Sequence, residues 1–89
     1  MSRPLAVVVQ GAACAAAAAL AIAVWVLEQG RADWIGGPFL LLFYGLSAPV
    51  HLAALAAARH TNARVRGWGV FVGSALLIAQ AALFVGWYE

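Results

Sequence analysis

The sequence predicts an all-α membrane protein of three transmembrane helices, its N-terminus cytoplasmic and its C-terminus periplasmic or extracellular. Three observations lead there. Long apolar stretches, about residues 5–27, 35–58 and 67–88, take up most of the 89 positions. Hydrophobic residues make up 66% of the chain and charged ones 9%, against roughly 45–50% and 25% in soluble domains. None of the stretches carries the charged face that a surface helix in water requires. The length fits one domain, a single three-span unit over residues 1–89.

The first span follows a short basic start, Met1-Ser2-Arg3-Pro4. Gly11-Ala12-Ala13-Cys14 faintly resembles a lipoprotein cleavage box, but the apolar run continues to Leu27, so the span is expected to be retained. Alanine dominates it. Gly11, Ala15, Ala19 and Ala23 recur every fourth residue, the small-xxx-small pattern that lets helices approach closely in lipid. The spacing predicts a packing helix, in contact with protein around much of its circumference.

A short polar connection, Glu28–Trp34, leads to the second span and reads as a solvated turn with Glu28, Arg31 and Asp33. Ile35 to Ala58 then runs 24 residues without a charge. At 1.5 Å per residue a helix of that length crosses a hydrocarbon core about 30 Å thick. Gly36-Gly37-Pro38 suits its start. Pro49 lies inside it, removing one helix hydrogen bond and freeing the Gly45 carbonyl. The second connection, Arg59–Arg66, holds three arginines and no acid. The third span contains Gly69-Val70-Phe71-Val72-Gly73, a GxxxG motif with Gln80 on the same face.

Basic residues in short loops stay in the cytoplasm, so Arg59, Arg64 and Arg66 place the second connection inside, and Arg3 agrees. Trp25, Trp34, Trp87 and Tyr88 then fall at the outer boundary and Trp68 at the inner one, as interfacial aromatics do. The expected location is the bacterial inner (plasma) membrane, with several crossings.

Few side chains at membrane depth can carry chemistry. Counting residues along each span puts Gln10, His51 and Ser74 roughly 7–11 Å from the inner edge, with Cys14 a turn deeper. Tyr44 and Gln80 come out about 18–21 Å from that edge. Tyr44, Ser47 and His51 share one helix face by their spacing of three and four. Polar groups in lipid face protein or a water-filled cavity, so this stripe is expected to look inward. His51 has two readings. It is an axial ligand to haem or chlorophyll, or a proton relay; or it is a neutral ring hydrogen-bonded to Gln10 or Ser74, a contact of about 0.6–2 kcal/mol. The GxxxG face docks either another chain or the chain's own spans. Arg59, Arg64 and Arg66 set topology and are candidates for contact with anionic lipid or an acidic partner.

Cys14 stands alone, which excludes an intrachain disulfide. No nucleophile–base pair, phosphate cradle, zinc motif or nucleic-acid motif is present, so neither catalysis nor nucleic-acid binding is expected. No acid lies inside the spans, which counts against a proton- or cation-coupled transporter. The reading is a small accessory or scaffold subunit of a larger membrane complex. Its expected partners are membrane lipids and other transmembrane subunits or copies of itself. The alternatives are a haem- or chlorophyll-binding subunit using His51, and a homo-oligomeric channel or small-solute transporter lined by Tyr44, Ser47, His51 and Gln80.

Overall fold

The computed structural model describes residues 2–29 and 37–88. They form three α-helices, α1 (Arg3–Gln29), α2 (Gly37–Ala58) and α3 (Ala63–Tyr88). Each is long and apolar enough to cross a membrane. Every helix packs against the other two, in a bundle of 49 × 19 × 16 Å. Arg31, Asp33 and Trp34 of the first connection, and the expected start of the second span at Ile35 and Gly36, lie outside the described residues.

The helix ends differ from the expected ones for local reasons. Ser2 caps α1: its hydroxyl accepts from the Leu5 N–H at 3.3 Å and its carbonyl from the Ala6 N–H at 2.9 Å. The helix then runs on through Glu28 to Gln29, beyond the expected end at Leu27. On the other side of the turn, α3 starts at Ala63 and not at Gly67. Asn62 is the cause. Its side-chain oxygen accepts from the Arg64 N–H at 2.9 Å and its carbonyl from the Arg66 N–H at 3.0 Å. Arg64 and Arg66 therefore belong to the first turn of α3, and the true connection is residues 59–62.

That turn is closed by its own side chains. The Arg66 guanidinium donates to the His60 and Thr61 carbonyls at 3.1 and 2.9 Å. His60 Nδ1 accepts from the Asn62 N–H at 3.0 Å. These bonds satisfy the turn's own carbonyls, while carbonyls in the last turn of α2 accept from the Arg59 and His60 N–H groups.

The interior has two halves. Near the turn it is built from small residues: Ala6, Ala13, Ala54, Ala58, Gly69 and Gly73 are all buried. A β-carbon on Gly69 would stand 2.7 Å from the Ala57 β-carbon and 2.8 Å from the Ala54 carbonyl oxygen. The backbones of α2 and α3 thus touch there, which only glycine permits. Toward the far end the helices are held by larger side chains, with Val24, Leu40 and Tyr44 buried and Leu20 and Phe84 packed on them.

On each helix the buried positions alternate by three and four. On α2 they are Leu40, Tyr44, Ser47, His51, Ala54 and Ala58; on α1 they include Ala6, Gln10, Ala13, Ala17, Val24 and Glu28. This is the seam of helices packed nearly side by side. The four-residue stripe of α1 is not part of it. Ala15 and Ala19 are exposed, and a β-carbon on Gly11 would meet nothing within 4 Å. With 3.6 residues per turn, a repeat of four drifts about 40° per step and leaves the contact face.

Gly69→Ala is expected to weaken the bundle by about 1–3 kcal/mol, the usual cost of overpacking. Gly86→Ala, whose added carbon meets nothing within 4 Å, is expected to change stability little. Loss of helicity on heating in detergent micelles compares the two.

Candidate functional site

The polar residues of the seam converge on Gln80. Its side chain rises from α3 into the face of α2 and is fully buried. The Ser47 hydroxyl donates its one proton to the Tyr44 carbonyl at 2.6 Å, so it accepts from Gln80 Nε2 at 2.7 Å. Gln80 Oε1 then faces His51 Nε2 at 2.6 Å, and that ring nitrogen carries the proton. The Tyr44 hydroxyl donates to the Gln80 backbone carbonyl at 2.5 Å. One glutamine is thus tied to three residues of α2.

The inward stripe of Tyr44, Ser47 and His51 is present, but its partner differs from the expectation. His51 bonds to Gln80, not to Gln10 or Ser74. Side chains lean toward the N-terminus of their own helix. α2 and α3 are antiparallel, so His51 leans away from the turn while Gln80 leans toward it. Two residues whose backbones lie at different depths meet between them. Ser74 is half-buried and stands outside this network.

Gln10 makes a separate clasp between α1 and α3. Fully buried, it donates from Nε2 to the Val70 carbonyl at 3.3 Å. Its amide occupies the notch at Gly73, where any β-carbon would collide with it. The GxxxG face is therefore filled by the chain's own helices, with Gly69 against α2 and Gly73 against Gln10. Cys14 Sγ lies 3.7 Å from the His51 carbonyl, linking α1 to α2.

At the far end Glu28 corrects the expectation of a solvated turn. It is buried on the last turn of α1, and its Oε1 accepts from Tyr88 Oη at 2.6 Å and from Trp87 Nε1 at 3.2 Å. The signal was available in the spacing: Gln10, Ala17 and Val24 recur every seven residues, and Glu28 lies four residues, one turn, beyond Val24. Arg31 and Asp33 lie outside the described residues. At the turn end Arg59 and Arg64 are exposed, whereas Arg66 is held on the turn carbonyls.

Beside the network a half-open cavity of about 230 Å³ lies between α1 and α2. Alanines 17, 18, 21 and 48 leave the space, and Tyr44, Ser47 and His51 form one wall. It is smaller than the usual ligand pocket of roughly 300–1,000 Å³. His51 Nε2 is occupied by Gln80 and Nδ1 is covered by protein. Neither ring nitrogen is open to a haem iron or a chlorophyll magnesium in this arrangement. Among the described residues no group of three His, Cys, Asp or Glu side chains is placed to hold a metal ion. What the network can do is join helices.

Replacing Gln80 by Ala is expected to cost about 1–3 kcal/mol, because His51 Nε2 and Ser47 lose their partner in a dry interior. The His51→Ala and Gln80→Ala changes should not add. A coupling of about 0.5–1.7 kcal/mol in a double-mutant cycle of unfolding in micelles is the expected result. Ser74→Ala should be close to neutral.

No family model, curated protein or solved structure matches this chain.

Proposed function

We propose that the chain is a small integral-membrane accessory or scaffold subunit of a larger membrane complex. It crosses the bacterial inner membrane three times, with the N-terminus and the arginine turn in the cytoplasm and the C-terminus outside. The observation that carries this reading is the division of its surface. Between the helix ends the exposed residues are all apolar, while Gln10, Ser47, His51 and Gln80 are spent inside. Between its helix ends the described chain presents an apolar exterior, and its buried polar side chains there are used mainly in bonds between helices.

Two features of that exterior favour protein over lipid as a neighbour. Ala15 and Ala19 form a flat strip on α1, and small residues are what helices in lipid use to approach one another. On α2, Gly45 and Pro49 are both exposed. Pro49 has no N–H to give the Gly45 carbonyl, and lipid tails offer no donor. A neighbouring helix with a hydroxyl, amide or indole donor would. The bonds around Gln80 weigh against a channel, since Tyr44, Ser47, His51 and Gln80 must part from one another before they can line a pore.

Orientation is supported by charge. Gln10 packs on Gly73 in the first half of α3, so Arg3 shares an end with Arg59, Arg64 and Arg66. Basic residues at one end of short spans mark the cytoplasmic side.

In mild detergent the chain should elute in a complex with other membrane proteins. Ala15→Leu with Ala19→Leu should release it, while Ile22→Ala should not. Elution of the unaltered chain as a lone monomer, with no cross-linked neighbour in native membranes, would defeat the proposal. A cysteine placed at Thr61, in a Cys14→Ala background, should react with a membrane-impermeant maleimide only after the cells are opened. Labelling in intact spheroplasts reverses the orientation.

A further inference from the structure

We propose that a groove on the first turns of α3, formed by Arg64, Gly67, Trp68 and Phe71, binds an anionic phospholipid. The groove is shallow, with a volume of about 300 Å³, and its lining comes from α3 alone. Its floor exists because Gly67 has no side chain, and an added β-carbon there would meet nothing within 4 Å. Trp68 and Phe71 are 63% and 64% exposed, and they meet edge to face at 5.8 Å. Large aromatic surface left uncovered by the chain is covered by something else.

The order of the residues along the helix selects the occupant. Arg64 to Phe71 spans seven residues, about 10 Å. In a spanning helix this places a cation at headgroup level, an indole at the interface and a phenyl ring among the acyl chains. A phospholipid presents phosphate, glycerol and hydrocarbon in that sequence. Among the described residues no acid compensates the charge of the site. Arg64 is exposed, and only its backbone N–H is engaged, by Asn62. Glu28, the acid among the described residues, lies at the opposite end of the bundle. Arg66 is excluded by geometry, since its guanidinium is held on the His60 and Thr61 carbonyls. The site therefore uses one of the neighbouring arginines and not the others, unlike a diffuse basic surface. It does not depend on which leaflet holds the turn, nor on a protein partner.

Native mass spectrometry of the full chain, released from micelles containing equal amounts of phosphatidylglycerol and phosphatidylcholine, tests it. The unaltered chain should retain phosphatidylglycerol in preference, and inorganic phosphate should not displace it. Arg64→Gln should lower that preference roughly fivefold, the attraction of one cation for an anionic headgroup. Gly67→Leu, which fills the groove without changing charge, should lower it similarly. Arg59→Gln, outside the groove, should change it less than about twofold. Equal retention of the two lipids overturns the proposal. So does a Gly67→Leu chain that retains phosphatidylglycerol normally, or an Arg59→Gln effect equal to that of Arg64→Gln. Circular dichroism of each variant confirms that the helices are intact, and brominated phosphatidylglycerol quenching of Trp68, with the other tryptophans changed to Phe, gives a second readout.

Discussion

A buried amide that cannot reach water must find its partners within the protein, and in this bundle that constraint falls on Gln80. Leaving a buried donor or acceptor unpaired costs about 1–3 kcal/mol. Gln80 meets that demand with Ser47 and His51, and its backbone carbonyl takes the Tyr44 hydroxyl as well. Hydrogen bonds have narrow geometry, so the four groups fix the register of α2 against α3 more sharply than apolar contact would. Gly69 makes the arrangement possible by letting the two backbones touch about three turns of α3 closer to the loop. Gln10 does the same for α1, inserting into the notch of Gly73. Glycine and glutamine act here as a pair: one supplies the approach, the other the lock.

The same logic explains what could be read from the residues and what could not. Tyr44, Ser47 and His51 were legible as an inward face because helical periodicity is a local property, and three-and-four spacing reports it directly. Their partner was not legible. A depth count follows backbone atoms, whereas the bonds are made by side chains that lean toward opposite ends in antiparallel helices. The contact face of α1 was misread for a related reason. A strict four-residue repeat is conspicuous in a sequence, yet the seam follows the less visible alternation from Ala6 through Gln10, Ala13 and Ala17. Three helical stretches were plain from apolar length alone, but their ends were not, because Ser2 and Asn62 extend α1 and α3 by capping bonds.

Charged residues divide in a way that composition hides. Glu28, at the start of a polar string, belongs to the core and holds Trp87 and Tyr88 from α3. Arg66 closes the turn, while Arg59 and Arg64, close by in sequence, stay exposed. Equal charges a few residues apart thus serve different ends, one intramolecular and the others directed outward. Only the positions of the turn carbonyls decide which is which.

The asymmetry of α2 draws these points together. Its inward face carries every polar side chain of the helix, and all of them are bonded to the chain itself. Its outward face carries Pro49, and with it the one helix carbonyl, that of Gly45, to which proline gives no hydrogen. The helix runs unbroken through that point, so the defect does not loosen the clasp at Gln80. An acceptor left on the outer face of an otherwise apolar surface is costly in lipid and satisfied by a donor from another helix. The inner face is bonded through Gln80, with Gln10 Oε1 and His51 Nδ1 left buried and unpartnered, so the groups still open to a new bond lie both inside the bundle and, at Gly45, on its exterior.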